Sequence, residues 1–171
     1  GTTMVIADGT STIFISTDGG DTWALTADRL GDMNGILGMA AVSGTFVGGD
    51  FAGAAWLSTD GGHTWAKAPG QPPSGLTIFG MAYGNGTFVG VGQGGLICYS
   101  TDLGSTWTNA PSPTSTTLAD VTFAAGILGG VFVAVEDAGP VWLSNDGINW
   151  TGAPSPPPTP AHLFGVGTNG T

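Results

Sequence analysis

The eight-residue stretch Ser16–Trp23, "STDGGDTW", is written again at 58–65 as "STDGGHTW", with a single letter changed. Two looser copies follow, "STDLGSTW" at 100–107 and "SNDGINW" at 144–150. The opening serines Ser16, Ser58, Ser100 and Ser144 are therefore spaced by 42, 42 and 44 residues. Self-similarity at a period of this size is the mark of a repeat architecture in which each unit is one supersecondary element packed on its neighbours.

Around each copy the sequence reads as four short strands. In the second unit these are 36–42 ("ILGMAAV"), 45–51 ("TFVGGDF"), 54–60 ("AAWLSTD") and 64–68 ("TWAKA"), and the third and fourth units repeat the pattern. Short runs of β-branched, aromatic and small residues, bounded by Gly, Asn, Asp and Pro, are strand-and-turn signals. No segment sustains helical periodicity. The expectation is an all-β protein, a β-propeller of four blades, each of four antiparallel strands. The chain opens on a second-strand pattern ("TTMVIADG") and closes on a first-strand pattern, "HLFGVGTNGT" at 162–171. Joined tail to head, the repeat continues at about the internal spacing. The reading is a single domain over 1–171, with blades near 1–30 plus 161–171, 31–70, 71–112 and 113–160. Pairing of the N- and C-terminal strands would close the ring and cover its edges. Two rivals are four periods of a longer array and a ring shared by two chains. Gly38, Gly80 and Gly165, with Ala40 and Ala82 nearby, suit a crowded axis.

Composition narrows the function. Arg29 and Lys67 are the two basic residues against twelve acidic ones, a net charge of −10. Such a surface repels phosphate backbones and anionic lipid, which argues against nucleic-acid binding. No apolar run approaches the ~20 residues of a membrane span, so no membrane insertion is expected. The sequence begins at Gly1 without Met and shows no signal peptide, as expected of a processed or excised chain. A single cysteine, Cys98, excludes an internal disulfide and reads as an inert buried thiol.

The octet S-T-D-x-G-x-T-W resembles the Asp-box, or bacterial neuraminidase repeat, of sialidases, sortilin-like receptors, xyloglucan-cleaving hydrolases and photosystem-assembly factors. Three copies fit closely, and the fourth is one residue shorter and lacks the Thr before Trp. The resemblance spans the chain and implies a propeller, with the box on the periphery away from any active site. Its members do unrelated things, so it implies no single activity. Asp18, Asp60, Asp102 and Asp146 sit where a hairpin joins third and fourth strands and can accept N–H groups of their own turn. Trp23, Trp65, Trp107 and Trp150 then bury an aromatic face whose indole N–H needs a partner. The octet reads as scaffolding.

Function is expected on the opposite face, which carries the turns between second and third strands and the Pro-rich links between blades. There the second strands end in Asp8, Asp50, Gln93 and Glu136–Asp137, and Asp120 stands in a first strand where other blades have Gly. Such oxygen ligands could hold Ca²⁺, and a carboxylate pair such as Asp50 and Glu136 could perform glycoside hydrolysis. The blander reading is that these are turn formers. One Arg rules against sialidase chemistry, which needs several for the substrate carboxylate. His63 and His162 lack metal-ligand company, and no G-x-S-x-G elbow is present. The expectation is a non-enzymatic binding or structural module without a resident cofactor, recognising a protein or glycan partner. An extracellular, cell-surface or virion-surface setting fits, as does a place in a larger phage-tail-like assembly. Homo-oligomerisation is open, and a two-carboxylate glycosidase is the alternative.

Overall fold

The computed structural model describes residues 2–10, 12–26, 34–126, 129–137, 139–155, 157–158 and 162–168. The link at 27–33, with Arg29, and the terminal residues 169–171 lie outside the described residues.

Four antiparallel sheets follow one another along the chain. The first holds β1 (Met4–Ala7), β2 (Ile13–Ser16) and β3 (Ala24–Leu25). The second holds β4 (Ile36–Val42), β5 (Thr45–Asp50), β6 (Ala55–Ser58) and β7 (Ala66–Lys67). The third holds β8 (Ile78–Gly84), β9 (Thr87–Gly92), β10 (Ile97–Ser100) and β11 (Thr108–Asn109). The fourth holds β12 (Leu118–Ala124), β13 (Val131–Glu136), β14 (Val141–Ser144) and β15 (Thr151–Gly152). A 3₁₀ turn at Gln93–Gly95 interrupts the strands. The meander within each sheet follows from the short Gly- and Asn-bearing turns, such as Ser43–Gly44 and Asn85–Gly86, all at positive φ.

The core lies between sheets. Ile13, Ile36, Phe46, Trp56 and Trp65 fill the joint between the first and second sheets. Val47, Ile78, Phe88, Cys98 and Trp107 fill the next, and Val89, Leu118, Phe132 and Trp150 the third. A strand such as β9 is therefore buried on both faces, which is why "TFVGVG" does not alternate with polar residues.

One construction recurs at each joint. The box-turn glycine of a sheet presses onto the second-strand valine of the sheet before it. A side-chain carbon on Gly62 would lie 2.5 Å from Val5 Cγ2, one on Gly104 2.6 Å from Val47 Cγ2, and one on Gly147 2.5 Å from Val89 Cγ2. Near the axis the first strands stack backbone to backbone. A carbon on Gly38 would meet the Gly80 carbonyl carbon at 2.8 Å, and one on Gly80 would meet Asp120 Cα at 2.9 Å. Glycine stands there because nothing larger fits.

The first sheet has three strands, where four were expected with the tail supplying the missing one. Residues 162–168 form no strand, and among the described residues no ladder joins them to β1. The tail instead lies beside β12, where Val166 N–H donates to Asp120 Oδ2 at 3.0 Å. Among the described residues the four sheets thus form a row with no ladder between its two ends. Trp23, in the first sheet, is 40% exposed, whereas Trp65, Trp107 and Trp150 are 4%, 5% and 9% exposed. A buried Trp removes about 200 Å² from water, worth about 5 kcal/mol before entropy is counted. Three joints have this contribution, and the first sheet's outer face does not.

Candidate functional site

The octet is a closed hydrogen-bond unit. In the second sheet Ser58 Oγ donates to Asp60 Oδ1 at 2.8 Å and accepts Gly62 N–H at 2.9 Å. Thr64 N–H and Thr64 Oγ1 donate to the two Asp60 oxygens at 2.9 and 2.6 Å. Trp65 Nε1 donates to Gly62 O at 3.0 Å. The same bonds recur around Asp18 and Asp102. In the shorter fourth copy Asn149 stands in for the Thr, its Nδ2 donating to Asp146 Oδ2 at 2.8 Å. The Thr64 hydroxyl, followed by the Thr64 N–H, lowers the Asp60 carboxyl to about 2. The Thr22 and Thr106 hydroxyls also hold the Asp18 and Asp102 carboxyls below the ordinary carboxylate range. Burial alone would raise Asp146, but the Asn149 and Ile148 donors outweigh it and hold it low. The buried serine hydroxyls are satisfied in this way, and the carboxylates spend their acceptors on their own turns.

The box turns share one face with the turns between first and second strands, as Gly61 N–H donating to Gly44 O at 2.9 Å shows. On the opposite face, the six polar residues singled out in the sequence part into three groups. Asp50 is fully buried, with Oδ1 accepting Ala52 N–H (2.9 Å) and Ala54 N–H (2.8 Å), and Oδ2 accepting Trp56 Nε1–H (2.9 Å). Glu136 is buried at the same register, receiving Trp142 Nε1–H at 2.9 Å and the Thr114 hydroxyl at 3.1 Å. Asp8 is exposed and holds Thr10 N–H and Thr12 N–H at 2.8 and 2.9 Å, which with the Thr10 hydroxyl lower it to about 2. Asp120 lies away from these, accepting its neighbour Val121 N–H and the tail's Val166 N–H.

Gln93 does not share the register of Asp8, Asp50 and Glu136. Ile36, Ile78 and Leu118 pair with Asp50, Gly92 and Glu136, so the third sheet has Gly92 there. Gln93 is the counterpart of Phe51 and Asp137, whose N–H groups tie to the preceding link through Asn34 O, Thr77 O and Thr117 O. Among the described residues, no group of three or more His, Cys, Asp or Glu is placed to hold a metal ion.

What the structure brings together is apolar. Each first strand is bulged at the same place: between Ile36 and Gly38, Ile78 and Gly80, Leu118 and Asp120. The unpaired bulge residues are Leu37, Phe79 and Ala119. A bulge re-aims the extra side chain, and here all three line one pocket with Phe164, their counterpart in "HLFG". The pocket measures ≈ 360 Å³ and is completed by Thr117 and Asp137. His162 Nδ1 lies 3.2 Å from Asp137 Oδ1, and its ring stacks on Phe164 with centroids 6.3 Å apart. The pocket is of a size that takes one bulky side chain or a small ligand. It presents a greasy wall and a single carboxylate, the latter partly exposed. These four wall residues escaped the sequence reading, although their shared offset at the second position of every first-strand segment was the available signal.

No protein-family model matches the chain, and no curated protein matches it. Among solved structures, an ancestral GH74 enzyme superposes on 86% of this chain and 22% of its own, with a TM-score of 0.65 at 19% identity. The structure titled YCF48 bound to D1 peptide matches over 86% of this chain and 50% of its own, with a TM-score of 0.67 at 20% identity. One chain of a nidogen/laminin complex matches over 88% and 61%, with a TM-score of 0.65 at 12% identity. This chain thus spans less than two thirds of each. The neighbours are β-propeller proteins, and the likeness establishes the fold as a row of propeller blades.

Proposed function

We propose that the chain is an Asp-box propeller whose head and tail strands complete one blade, and that it is a non-enzymatic scaffold holding a partner protein in its axial pocket. The observation that carries this reading is the convergence of Leu37, Phe79, Ala119 and Phe164 on one cavity beside the Asp137 carboxylate. Such a site suits an apolar side chain next to a Lys or Arg, presented by an extended peptide. The net charge of −10 would speed encounter with a basic partner. The peptide and laminin partners named for two of the neighbours agree with protein recognition. A surface-exposed setting outside the cell suits this acidic, lysine-poor chain.

The alternative, glycoside hydrolysis, draws on the likeness to GH74 enzymes. It requires two free carboxyl groups flanking the scissile bond, about 5–9.5 Å apart. Asp50 and Glu136 are buried and already engaged by Trp56 and Trp142. That favours binding.

The test is calorimetric titration of synthetic peptides carrying Leu or Phe beside Lys, against versions with Glu for Lys, with a xyloglucan oligosaccharide in parallel. Binding of the basic peptides, lost in Ala119→Trp and weakened in Asp137→Asn, is the expected result. Release of reducing ends from xyloglucan, or indifference to both substitutions, would overturn the reading.

A further inference from the structure

Beside the axial pocket the same face carries a second set of equivalent positions. Phe51, Gln93 and Asp137 each follow the end of a second strand, and each donates its N–H to the link before a first strand, at Asn34 O, Thr77 O and Thr117 O. Further contacts string the three into a continuous rim. Thr77 Oγ1 donates to Phe51 O at 2.8 Å, while Thr77 O accepts Gln93 N–H at 3.0 Å. The turn after Gln93 abuts the next link, since a side-chain carbon on Gly95 would run into Thr114 O. Thr114 Oγ1 in turn donates to Glu136, the neighbour of Asp137, and Asp137 lines the pocket.

The side chains on this rim differ in kind: a phenyl ring, a primary amide and a carboxylate. Phe51 is 52% exposed, and its hydrogen bonds to the fold all run through its backbone. Leu76, also exposed, stands between the two turns. A carbon on Gly53 would lie 2.5 Å from Leu76 O, and one on Gly94 would lie 4.0 Å from Leu76 Cδ1. Gln93 is exposed, and its side-chain amide bonds to no other group among the described residues. Asp137 keeps 47% of its side chain exposed, with the His162 ring 3.2 Å away. Asp50, next to Phe51, is buried with its carboxylate saturated, so the far end of the rim presents no charge. An exposed aromatic and aliphatic pair on turns held by a rigid scaffold adds nothing to the core and marks a contact surface.

We propose that this rim is the outer half of a peptide site. Phe51 with Leu76 takes a second apolar side chain of the extended partner whose first sits in the axial pocket. Gln93 holds the backbone between them, and Asp137 takes a Lys or Arg close to the pocket. This rests on the pocket assignment above and adds the partner's length and pattern. A Gln amide offers a donor and an acceptor side by side, which matches the paired groups of a peptide backbone. The lone carboxylate at the pocket end and the neutral far end place the basic residue beside the first anchor. Packed sheets lie about 10 Å apart and an extended chain advances about 3.3 Å per residue, so crossing each sheet takes about three residues. Phe51 and Asp137 belong to sheets two apart, which sets the second apolar residue about six positions from the basic one.

The test is calorimetric titration with two synthetic peptides, each made in both sequence orders. They share a Lys-Leu anchor and carry either Phe or Ser at that distance from the Lys. Expected is roughly tenfold tighter binding of the Phe peptide. That preference should disappear in Phe51→Ser and shrink in Leu76→Ser, and both peptides should weaken severalfold in Gln93→Ala. Far-ultraviolet dichroism and urea midpoints of these variants should match the parent's, because the three side chains are exposed. Anchor binding with no preference for Phe, or a preference that survives Phe51→Ser, would overturn the rim subsite and leave the pocket assignment standing. Failure of both peptides to bind would overturn both. Displacement of the Phe peptide by a xyloglucan oligosaccharide would overturn a peptide as the occupant of the rim.

Discussion

Replacing Asp50 by Ala should cost far more stability than replacing Asp8, although both occupy the same register at the end of a second strand. Asp50 is fully buried and neutralises three donors: Ala52 N–H, Ala54 N–H and Trp56 Nε1–H. An unsatisfied buried donor costs about 1–3 kcal/mol. The indole N–H is buried and takes the upper part of that range, while the two part-buried turn amides take the lower. The sum is about 4–6 kcal/mol, a large share of the 5–15 kcal/mol typical of a whole domain. In Asp8 the donors are the exposed Thr10 and Thr12 amides, which water can satisfy once the carboxylate is gone. With a urea slope of about 2 kcal/mol per molar, Asp50→Ala should lower the unfolding midpoint by about 2–3 M. Asp8→Ala should leave the midpoint close to the parent's. The assay is urea unfolding followed by tryptophan fluorescence and far-ultraviolet dichroism, with Asp50→Asn as the intermediate. Equal midpoints for Asp50→Ala and the parent would refute the saturated-carboxylate account and return Asp50 to the surface chemistry of the pocket face.

Acid should unfold the protein from about pH 4 downward. The Asp60 carboxyl stands at about 2 against an ordinary 3.8, so its stabilisation is present above pH 3.8 and is lost as pH falls toward about 2. Urea midpoints at pH 6 and pH 2.5 should differ accordingly, and less so in Thr64→Val, which removes the bond that lowers Asp60 most. Gly147→Ala should destabilise by about 1–3 kcal/mol, since its new carbon would fall 2.5 Å from Val89 Cγ2 at a φ of 76°. Gly44→Ala, at a φ of 82° with nothing within 4 Å, should show only the backbone cost of about 1–2 kcal/mol; Val89→Ala should relieve the first and leave the second unchanged in thermal melts. Burial raises the Cys98 thiol to about 12, so it should resist a disulfide reagent at pH 8 until denaturant is added, and prompt labelling would contradict its placement.

Much of the fold is legible in the repeat itself. β4 coincides with the segment read from "ILGMAAV", and the strands of the second, third and fourth sheets fall within their sequence-derived runs except β8, which extends one residue beyond its run to Gly84. The period fixes the turn residues, and alternation of small and large apolar residues fixes the strands, so both survive without any knowledge of packing. The octet's turn hydrogen bonds are equally readable, because they span four residues or fewer. The closing strand was readable as a strand pattern but not as a pairing. "HLFGVG" matches "TIFGMA", yet what it touches depends on the angle at each joint, set by glycine contacts between sheets. Gln93 was placed one position out because a polar residue was aligned with polar residues, whereas the hydrogen bonds align it with Phe51. Nor could the pattern tell Asp50 from Asp8, since burial of the carboxylate depends on Trp56, absent from the first sheet, where Phe14 takes its place. The pocket walls were hidden for a similar reason, as a bulge leaves no mark in the letters beyond its neighbours' spacing.

The short span of the octet's bonds bears on how such a molecule comes to exist. A turn that ties itself together within a few residues can form early in folding and carries almost no loop-closure entropy. Because the same segment also delivers the glycine that seats on the preceding sheet, copying one 42-residue stretch of gene copies both a folding nucleus and half of the next contact surface. Lengthening or shortening such a row by whole units therefore demands no redesign inside them, and new specificity can accumulate at the bulge positions while the scaffold stays constant.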